Sequence, residues 1–260
     1  MKFFTTLFFI CVFSISVKAQ EAIHEVGVFL GTGAIQTDFG QRNDFFSSYG
    51  NNVISFSATH YIQFYSQELK VSDRYHWKKH FMLKSEINIF TRANFEHFGK
   101  YTEGSSVSAQ KLSAMKGHAS VMSIGVSAEY YLRSLYNDVL WNPFVTLGFK
   151  YSWYNNGLES DLGDWRTDIT VLPGKYQTPN ALNVGRGSTP TIALGAGTRL
   201  RLTSRLDLAG IFNWHIYFSD TVDGLQADVP ENRNDEWMTN IQVGLIYDLR
   251  SSAKSKAYCF

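Results

Sequence analysis

The segment Arg205-Leu206-Asp207-Leu208-Ala209-Gly210-Ile211-Phe212-Asn213-Trp214-His215-Ile216-Tyr217-Phe218-Ser219 decides the fold. Every second residue from Leu206 to Phe218 is apolar or glycine, and this set ends in aromatic side chains. The intervening positions mix charged, amide and small side chains. This period of two predicts a β-strand of about 14 residues, which is longer than most strands in soluble domains. The length suits a tilted strand that crosses a bilayer, for which roughly 9–11 residues are needed.

Seven other segments repeat the alternation. We expect strands at Glu21–Gly33, Val53–Phe64, His80–Glu96, Ala119–Arg133, Val145–Trp153, Ile192–Leu202 and Glu236–Leu249. The connections are long after the first, third, fifth and seventh segments and shorter after the others. Up-and-down membrane barrels have long extracellular loops and short periplasmic turns. The sequence therefore predicts an all-β, eight-stranded antiparallel up-and-down transmembrane β-barrel whose two termini lie in the periplasm.

The alternation alone leaves open which face points outward, because a soluble lipocalin-like barrel would bury its apolar face. An eight-stranded barrel is just wide enough for side chains to fill its interior. Apolar stripes such as Phe212, Trp214 and Phe218 on every strand would not fit inside, whereas the opposite faces are rich in glycine and serine. We therefore expect the apolar face to contact outer-membrane lipid. A soluble β-barrel or sandwich is the alternative.

The N-terminus has the features of a secretory signal peptide, with an apolar run over residues 3–17 and a cleavage site at Val17-Lys18-Ala19. We expect residues 1–19 to be removed, residues 20–250 to form the barrel and residues 251–260 to form a periplasmic tail. Cys11 lies in the signal, so Cys259 alone remains and an intrachain disulfide is excluded. The net charge of +1 gives no support to nucleic-acid binding.

Charged side chains lie on the predicted inner face of several strands. They are Lys84, Glu86, Arg92, Glu129, Arg133, Lys150, Arg199, Arg201, Asp207 and Asp248. In a narrow lumen the cations and carboxylates should pair, because an unpaired buried charge is costly. The set indicates either a polar plug that closes the barrel, which we favour, or a charged conduit.

The segment His76-Trp77-Lys78-Lys79 lies in a predicted periplasmic turn. A tryptophan among cations is typical of an interface hot spot, so we expect a contact with a periplasmic protein. A basic turn beside anionic lipid headgroups is the alternative.

Two histidines are candidates for a catalytic group: His60 beside Thr59, and His118 near Ser120. A catalytic set needs a nucleophile, a base and an orienting acid within hydrogen-bond reach, and neither histidine has such a context. The acidic residues in 161–168 lack the ligand spacing of an EF-hand. We therefore expect no enzymatic activity, no metal and no cofactor.

The mature start, Ile23-His24-Glu25-Val26-Gly27-Val28-Phe29-Leu30-Gly31, is followed by Asp38-Phe39-Gly40. These motifs resemble the opening of small outer-membrane barrels of the Bacteroidota, in particular PorG-type barrels of the type IX secretion system and their flavobacterial relatives. Phe218-Ser219-Asp220-Thr221-Val222-Asp223 is similar to an acidic motif that these barrels carry after the seventh strand. The resemblance implies an outer-membrane location and a scaffold or anchor role for secretion or gliding components. A small passive pore and an outer-leaflet lipid-modifying enzyme are the alternative functions.

Overall fold

The strands close into a single barrel. The computed structural model describes residues 22–39, 51–64, 77–99, 101–135, 139–227, 229 and 235–249. Within these ranges the strands are β1 (Ala22–Gln36), β2 (Asn52–Phe64), β3 (Phe81–Glu96), β4 (Met115–Tyr131), β5 (Trp141–Ser160), β6 (Arg186–Arg201), β7 (Leu206–Tyr217) and β8 (Trp237–Asp248). Each strand pairs antiparallel with its neighbour in sequence, and β8 pairs with β1. The predicted eight-stranded up-and-down barrel is confirmed.

The described connections contain short helices. Helix α1 (Val107–Ala114) lies between β3 and β4, in a segment that the sequence predicted as loop, and the Ser106 hydroxyl accepts a hydrogen bond from the backbone N–H of Ala109 at 3.2 Å. Single turns of 3-10 helix occupy Trp77–Lys79, Ile169–Val171 and Gly174–Tyr176. In the part of the chain that the structure describes, no helix is long and apolar enough to cross a membrane.

The outward face of the barrel wall is an apolar band. Val28 of β1 is 66% exposed, Leu147 of β5 is 58% exposed, and Phe212 and Trp214 of β7 point outward as predicted. The band continues through exposed side chains on the other strands: Ile54, Phe56, Ile87, Ile89, Met122, Ile124, Val126, Ile241, Val243 and Leu245. The apolar faces thus lie outside and the polar faces line the interior.

Strand β3 changes phase at an irregularity between Phe90 and Ala93. A bulge inserts an extra residue into one strand, so each side chain after it moves to the opposite face. Ala93 and Phe95 are consequently buried, and Arg92 is exposed. The prediction that Arg92 faces the lumen is therefore wrong. Its guanidinium lies on the outer surface, 3.0 Å from Nδ1 of His118.

Strands β4, β5 and β6 extend several residues beyond their predicted bounds at the long-loop end. Residues 115–118 belong to β4, residues 154–160 to β5 and residues 186–191 to β6. In these extensions the polarity of the two faces reverses: Asn155 is exposed on the outer surface, while Leu158 is buried inside. Because these segments lack apolar side chains on the outer face, the alternation did not predict them as strands. The wall therefore rises above the apolar band at the end that carries the long loops.

Gly125 of β4 allows a lysine of the neighbouring strand to lie inside the barrel. A Cβ atom built on Gly125 would be 2.6 Å from Cα of Lys150 and 2.7 Å from its Cγ. Lys150 is fully buried, so its aliphatic stem fills the space that any larger residue at position 125 would need.

We predict that Gly125→Ala destabilises the barrel by about 1–3 kcal/mol, because the added methyl group overlaps backbone and side-chain atoms of Lys150. Gly210→Ala is the matched control, since a Cβ on that strand glycine meets nothing within 4 Å. Urea-unfolding midpoints of both variants in detergent micelles provide the measurement. Equal midpoints for the two variants would contradict the interpretation.

Candidate functional site

A layer of ion pairs crosses the interior. Nζ of Lys84 lies 3.2 Å from Glu129 and 3.6 Å from Glu86, and Nζ of Lys150 lies 3.0 Å from the second oxygen of Glu86. The hydroxyl of Ser127 donates a hydrogen bond to Glu86 at 2.7 Å. All four ionic groups are buried. Each of them lies beside an opposite charge, so the charges of this layer are compensated within the lumen.

Arg199 organises a second charged group, towards the end that carries the short turns. Its Nη1 lies 2.6 Å from a carboxylate oxygen of Glu25 and 3.7 Å from Asp207. Asp207 also lies 3.7 Å from Nε of Arg201. The face of the Arg199 guanidinium stacks on Tyr61, with 4.4 Å between Cζ and the ring centroid, which is a cation–π geometry.

The structure brings most of the predicted lumen charges together. Inside the barrel lie Lys84, Glu86, Glu129, Lys150, Arg199, Arg201, Asp207 and Asp248. Arg133 is a second correction: β4 ends before it, so strand alternation no longer sets its direction, and it lies exposed over the ring of Trp141. The predicted set omitted Glu25, although the alternation of the first segment places it on the inner face.

A polar layer fills the middle of the barrel. The amide of Gln242 donates hydrogen bonds to the hydroxyls of Ser55 at 3.2 Å and Ser57 at 2.6 Å. On the opposite wall, the hydroxyls of Ser123 and Ser152 share a hydrogen bond of 2.7 Å. These buried polar side chains occupy the lumen at this level.

At the long-loop end the interior becomes apolar, and we call this region the apolar cap. Its buried side chains include Ile35, Phe39, Phe90, Phe95, Met115, Tyr154, Leu158, Leu172, Tyr176, Val222, Leu225 and Met238. An isolated β-bridge between Leu182 and Leu225 joins the loop after β5 to the loop after β7. The described parts of these loops therefore cover the long-loop end of the interior.

Two carboxyl groups are buried in the cap, with Asp223 0% and Glu236 1% exposed. Glu236 accepts hydrogen bonds from the backbone N–H groups of Val222 at 2.6 Å and Asp223 at 3.0 Å. The Asp223 carboxylate accepts from the N–H groups of Asp38 at 2.9 Å and Leu225 at 2.8 Å. The pair thus ties the segment after β1 to the loop after β7. The acidic motif included Asp223, but nothing in the sequence pointed to Glu236.

The cap changes the protonation of its acidic and imidazole groups. Burial raises the pKa of Asp223, and burial together with the Asp223 carboxyl raises the pKa of Glu236 well above its usual range. The pair therefore retains a proton at a pH where exposed carboxyls are ionised. His97 stacks on Phe39 at 4.7 Å, and its burial, aided by the charge of Lys175, lowers its pKa to about 3. His97 is accordingly neutral.

The predicted partner contact lies partly in the 3-10 helix before β3. His76 falls outside the described residues. Trp77 is 58% exposed, and Nζ of Lys78 lies 6.0 Å from the centroid of its ring. Lys79 is buried, and its carbonyl accepts a hydrogen bond from the N–H of Leu135 at 2.8 Å. Trp77 and Lys78 are therefore the described members of the set that a partner could reach.

The two candidate catalytic histidines have other neighbours. His60 faces outward and stacks on His24, with 5.2 Å between ring centroids and 3.1 Å between ring nitrogens. The hydroxyl of Ser120 donates to a backbone carbonyl rather than to His118. No group of three or more His, Cys, Asp or Glu side chains in the described ranges could hold a metal ion. Neither histidine assembles the nucleophile, base and acid of a catalytic set.

No protein-family profile and no curated protein matches the chain. Solved structures that resemble it include Ail, the attachment invasion locus protein of Yersinia pestis, with 13% identity and a TM-score of 0.44, covering 88% of this chain and 99% of that one. Neisserial surface protein A has 10% identity and a TM-score of 0.41, with coverages of 86% and 96%. A major outer membrane protein from Thermus thermophilus has 12% identity and a TM-score of 0.45, with coverages of 86% and 99%. Similarity of this order carries no function over to this chain.

We predict that the Asp223 and Glu236 pair makes the barrel lose stability as pH rises. The pair holds protons in the folded cap that the unfolded chain releases above a pH of about 4, so its contribution to the free energy of unfolding falls from there until the folded-state pKa values are passed. The neutral His97 acts in the opposite direction below a pH of about 6.5, so the contribution of the pair is the difference between the profiles of the parent protein and of Glu236→Gln. Thermal midpoints from Trp fluorescence in micelles between pH 4 and pH 9 provide the measurement.

Glu236→Gln keeps the shape of the protonated acid and should flatten that pH profile. Asp164→Asn changes an exposed loop carboxyl and serves as the matched control, with a profile like that of the parent protein. A parent-like slope in Glu236→Gln would show that the buried pair is not its source.

Proposed function

We propose that the chain is a closed β-barrel of the bacterial outer membrane that acts as a scaffold or anchor and has no enzymatic activity. One observation carries the proposal: an apolar outer band surrounds an interior occupied by ion pairs, hydrogen-bonded polar side chains and the apolar cap. A filled interior argues against the pore alternative. The loops and turns are therefore the surfaces through which the barrel would contact a partner.

The apolar band supports contact with lipid. A soluble monomer seldom exposes a contiguous apolar surface larger than a few hundred Å², whereas this band includes exposed side chains on all eight strands. Aromatic side chains lie near its edges, as in interfacial girdles: Trp214 and Trp237 pack edge to face at one end, and Trp141 and Tyr130 are exposed at the other. The closed ladder leaves no unpaired strand edge, as a hydrocarbon environment requires.

The orientation follows from the loop lengths. Long loops on barrels of this kind face the exterior, and short turns face the periplasm, so Trp77 and Lys78 would face the periplasm. The predicted signal peptide, residues 1–19, would direct export; it and the predicted periplasmic tail, residues 251–260, lie outside the described residues. The resemblance to PorG-type barrels favours components of a type IX secretion or gliding complex as partners.

We predict that Val243→Lys lowers the free energy of unfolding in lipid bilayers by about 2–4 kcal/mol, because it places a cation on the lipid-facing band. Asn155→Lys is the control, since that outward position lies above the band. Heat-modifiable gel migration of liposome-folded protein in urea measures both. A mature chain that stays monodisperse in detergent-free buffer, or a Val243→Lys variant as stable as Asn155→Lys, would overturn the membrane location.

We predict that a photo-crosslinking amino acid at position 77 forms an adduct with one defined periplasmic protein in intact cells. The adduct should weaken several-fold with Lys78→Glu, because the cation beside the indole contributes to the contact. The same amino acid at Leu202, an exposed residue at the same end of the barrel, is the control. Adducts with lipid alone at position 77 would support the headgroup alternative and count against the scaffold role.

A further inference from the structure

A small cavity lies at the short-turn end of the interior, beside the Arg199 group. Its volume is about 30 Å³, and its lining includes Gln63, Asn142, Arg199 and Arg201. A polar cavity of this size holds one or two water-sized groups. Leu140 also lines it and is 68% exposed, so the cavity adjoins the surface at this end of the barrel.

Hydrogen-bond donors of two buried side chains in the lining have no partner. Arg199 is 6% exposed, yet its Nε and Nη2 donate to no group in the described part of the chain. Gln63 is 2% exposed, and its Nε2 likewise donates to no group there. Nη1 alone carries the bond to Glu25. A buried donor without an acceptor costs about 1–3 kcal/mol, so the arrangement calls for an acceptor that comes from elsewhere.

The geometry of Arg199 specifies the kind of acceptor. Tyr61 covers the face of the guanidinium, so the free groups are at its edge. Nε and Nη2 form the side-on fork of a guanidinium, which matches the two oxygens of a carboxylate. The lining holds two cations, Arg199 and Arg201, and two carboxylates, Glu25 and Asp207, so a ligand with a single negative charge adds less uncompensated charge than a phosphate would.

We propose that this cavity binds a small monoanion, with a carboxylate as the best-fitting class, held by the Nε and Nη2 edge of Arg199 and by the amide of Gln63. The ligand reaches it from the short-turn end. The site is independent of the scaffold role, because its occupation changes the stability of the barrel whatever the loops and turns contact.

The experiment measures thermal midpoints of the refolded mature chain in zwitterionic micelles at constant ionic strength. The sodium salt of a bulky sulfonate buffer is replaced stepwise by sodium acetate or by sodium chloride, up to about 100 mM. We expect the midpoint to rise by at least about 3 °C with the preferred anion, since a ligand that binds only the folded state stabilises it by mass action.

Gln63→Met removes the free amide while leaving the pair of Arg199 and Glu25 intact, and it should reduce the shift to below about 1 °C. Gln242→Met is the matched control. Its amide is also buried, but it is hydrogen-bonded to Ser55 and Ser57 and does not line the cavity. This variant should have a lower midpoint in every salt and keep the full shift.

The two salts separate the possible ligands. A larger response to acetate assigns the site to a carboxylate, and a response to chloride as large as that to acetate assigns it to small monoanions in general. Identical midpoints in all three salts would overturn the proposal, because the cavity would then hold water only. A shift that Gln63→Met retains in full would overturn it as well.

Discussion

The narrow bore of a closed eight-stranded ladder is the constraint on which the rest of this structure depends. Closure pairs the backbone groups of the wall, but it leaves room for only one layer of side chains across the lumen. Lys150 lies there because the neighbouring strand has a glycine, Gly125, beside its aliphatic stem. Its charge can remain there only where a carboxylate is within reach, as Glu86 is. Volume and charge are therefore satisfied by the same few positions.

The sequence predicted the part of the barrel wall in which each strand has an apolar outer face and a polar inner face. The alternation in eight segments predicted the strand count, the loop lengths predicted the topology, and the limited volume of an eight-stranded interior predicted which face points outward. The alternation failed where the contrast between the two faces changes. One extra residue near Arg92 reverses the phase of β3. Above the band the outer surface becomes polar and the inside becomes apolar, so the alternation did not predict the ends of β4, β5 and β6. Both effects depend on three-dimensional context that a period of two does not encode.

The candidate site was predictable to a similar extent. Inward charges could be read from the alternation, and most of them meet in the lumen. Their pairing could not be read, because Glu25 and Arg199 lie on strands that are distant in sequence and are joined only across the bore. The cap is less predictable still. Contacts such as that between Leu182 and Leu225 link loops whose sequences show no periodicity.

The lumen and the cap stabilise buried carboxyl groups by different means. In the lumen, Glu86 meets two lysines, so its charge is neutralised by fixed side chains. In the cap, Asp223 and Glu236 meet backbone N–H groups and each other, so neutralisation requires a proton. A fixed cation neutralises Glu86 without a proton, whereas a shared proton makes the cap respond to the pH outside. The lumen charges are thus neutralised by residues that keep their places in the strands, whereas the charge of the cap, at the long-loop end, depends on the protonation of Asp223 and Glu236.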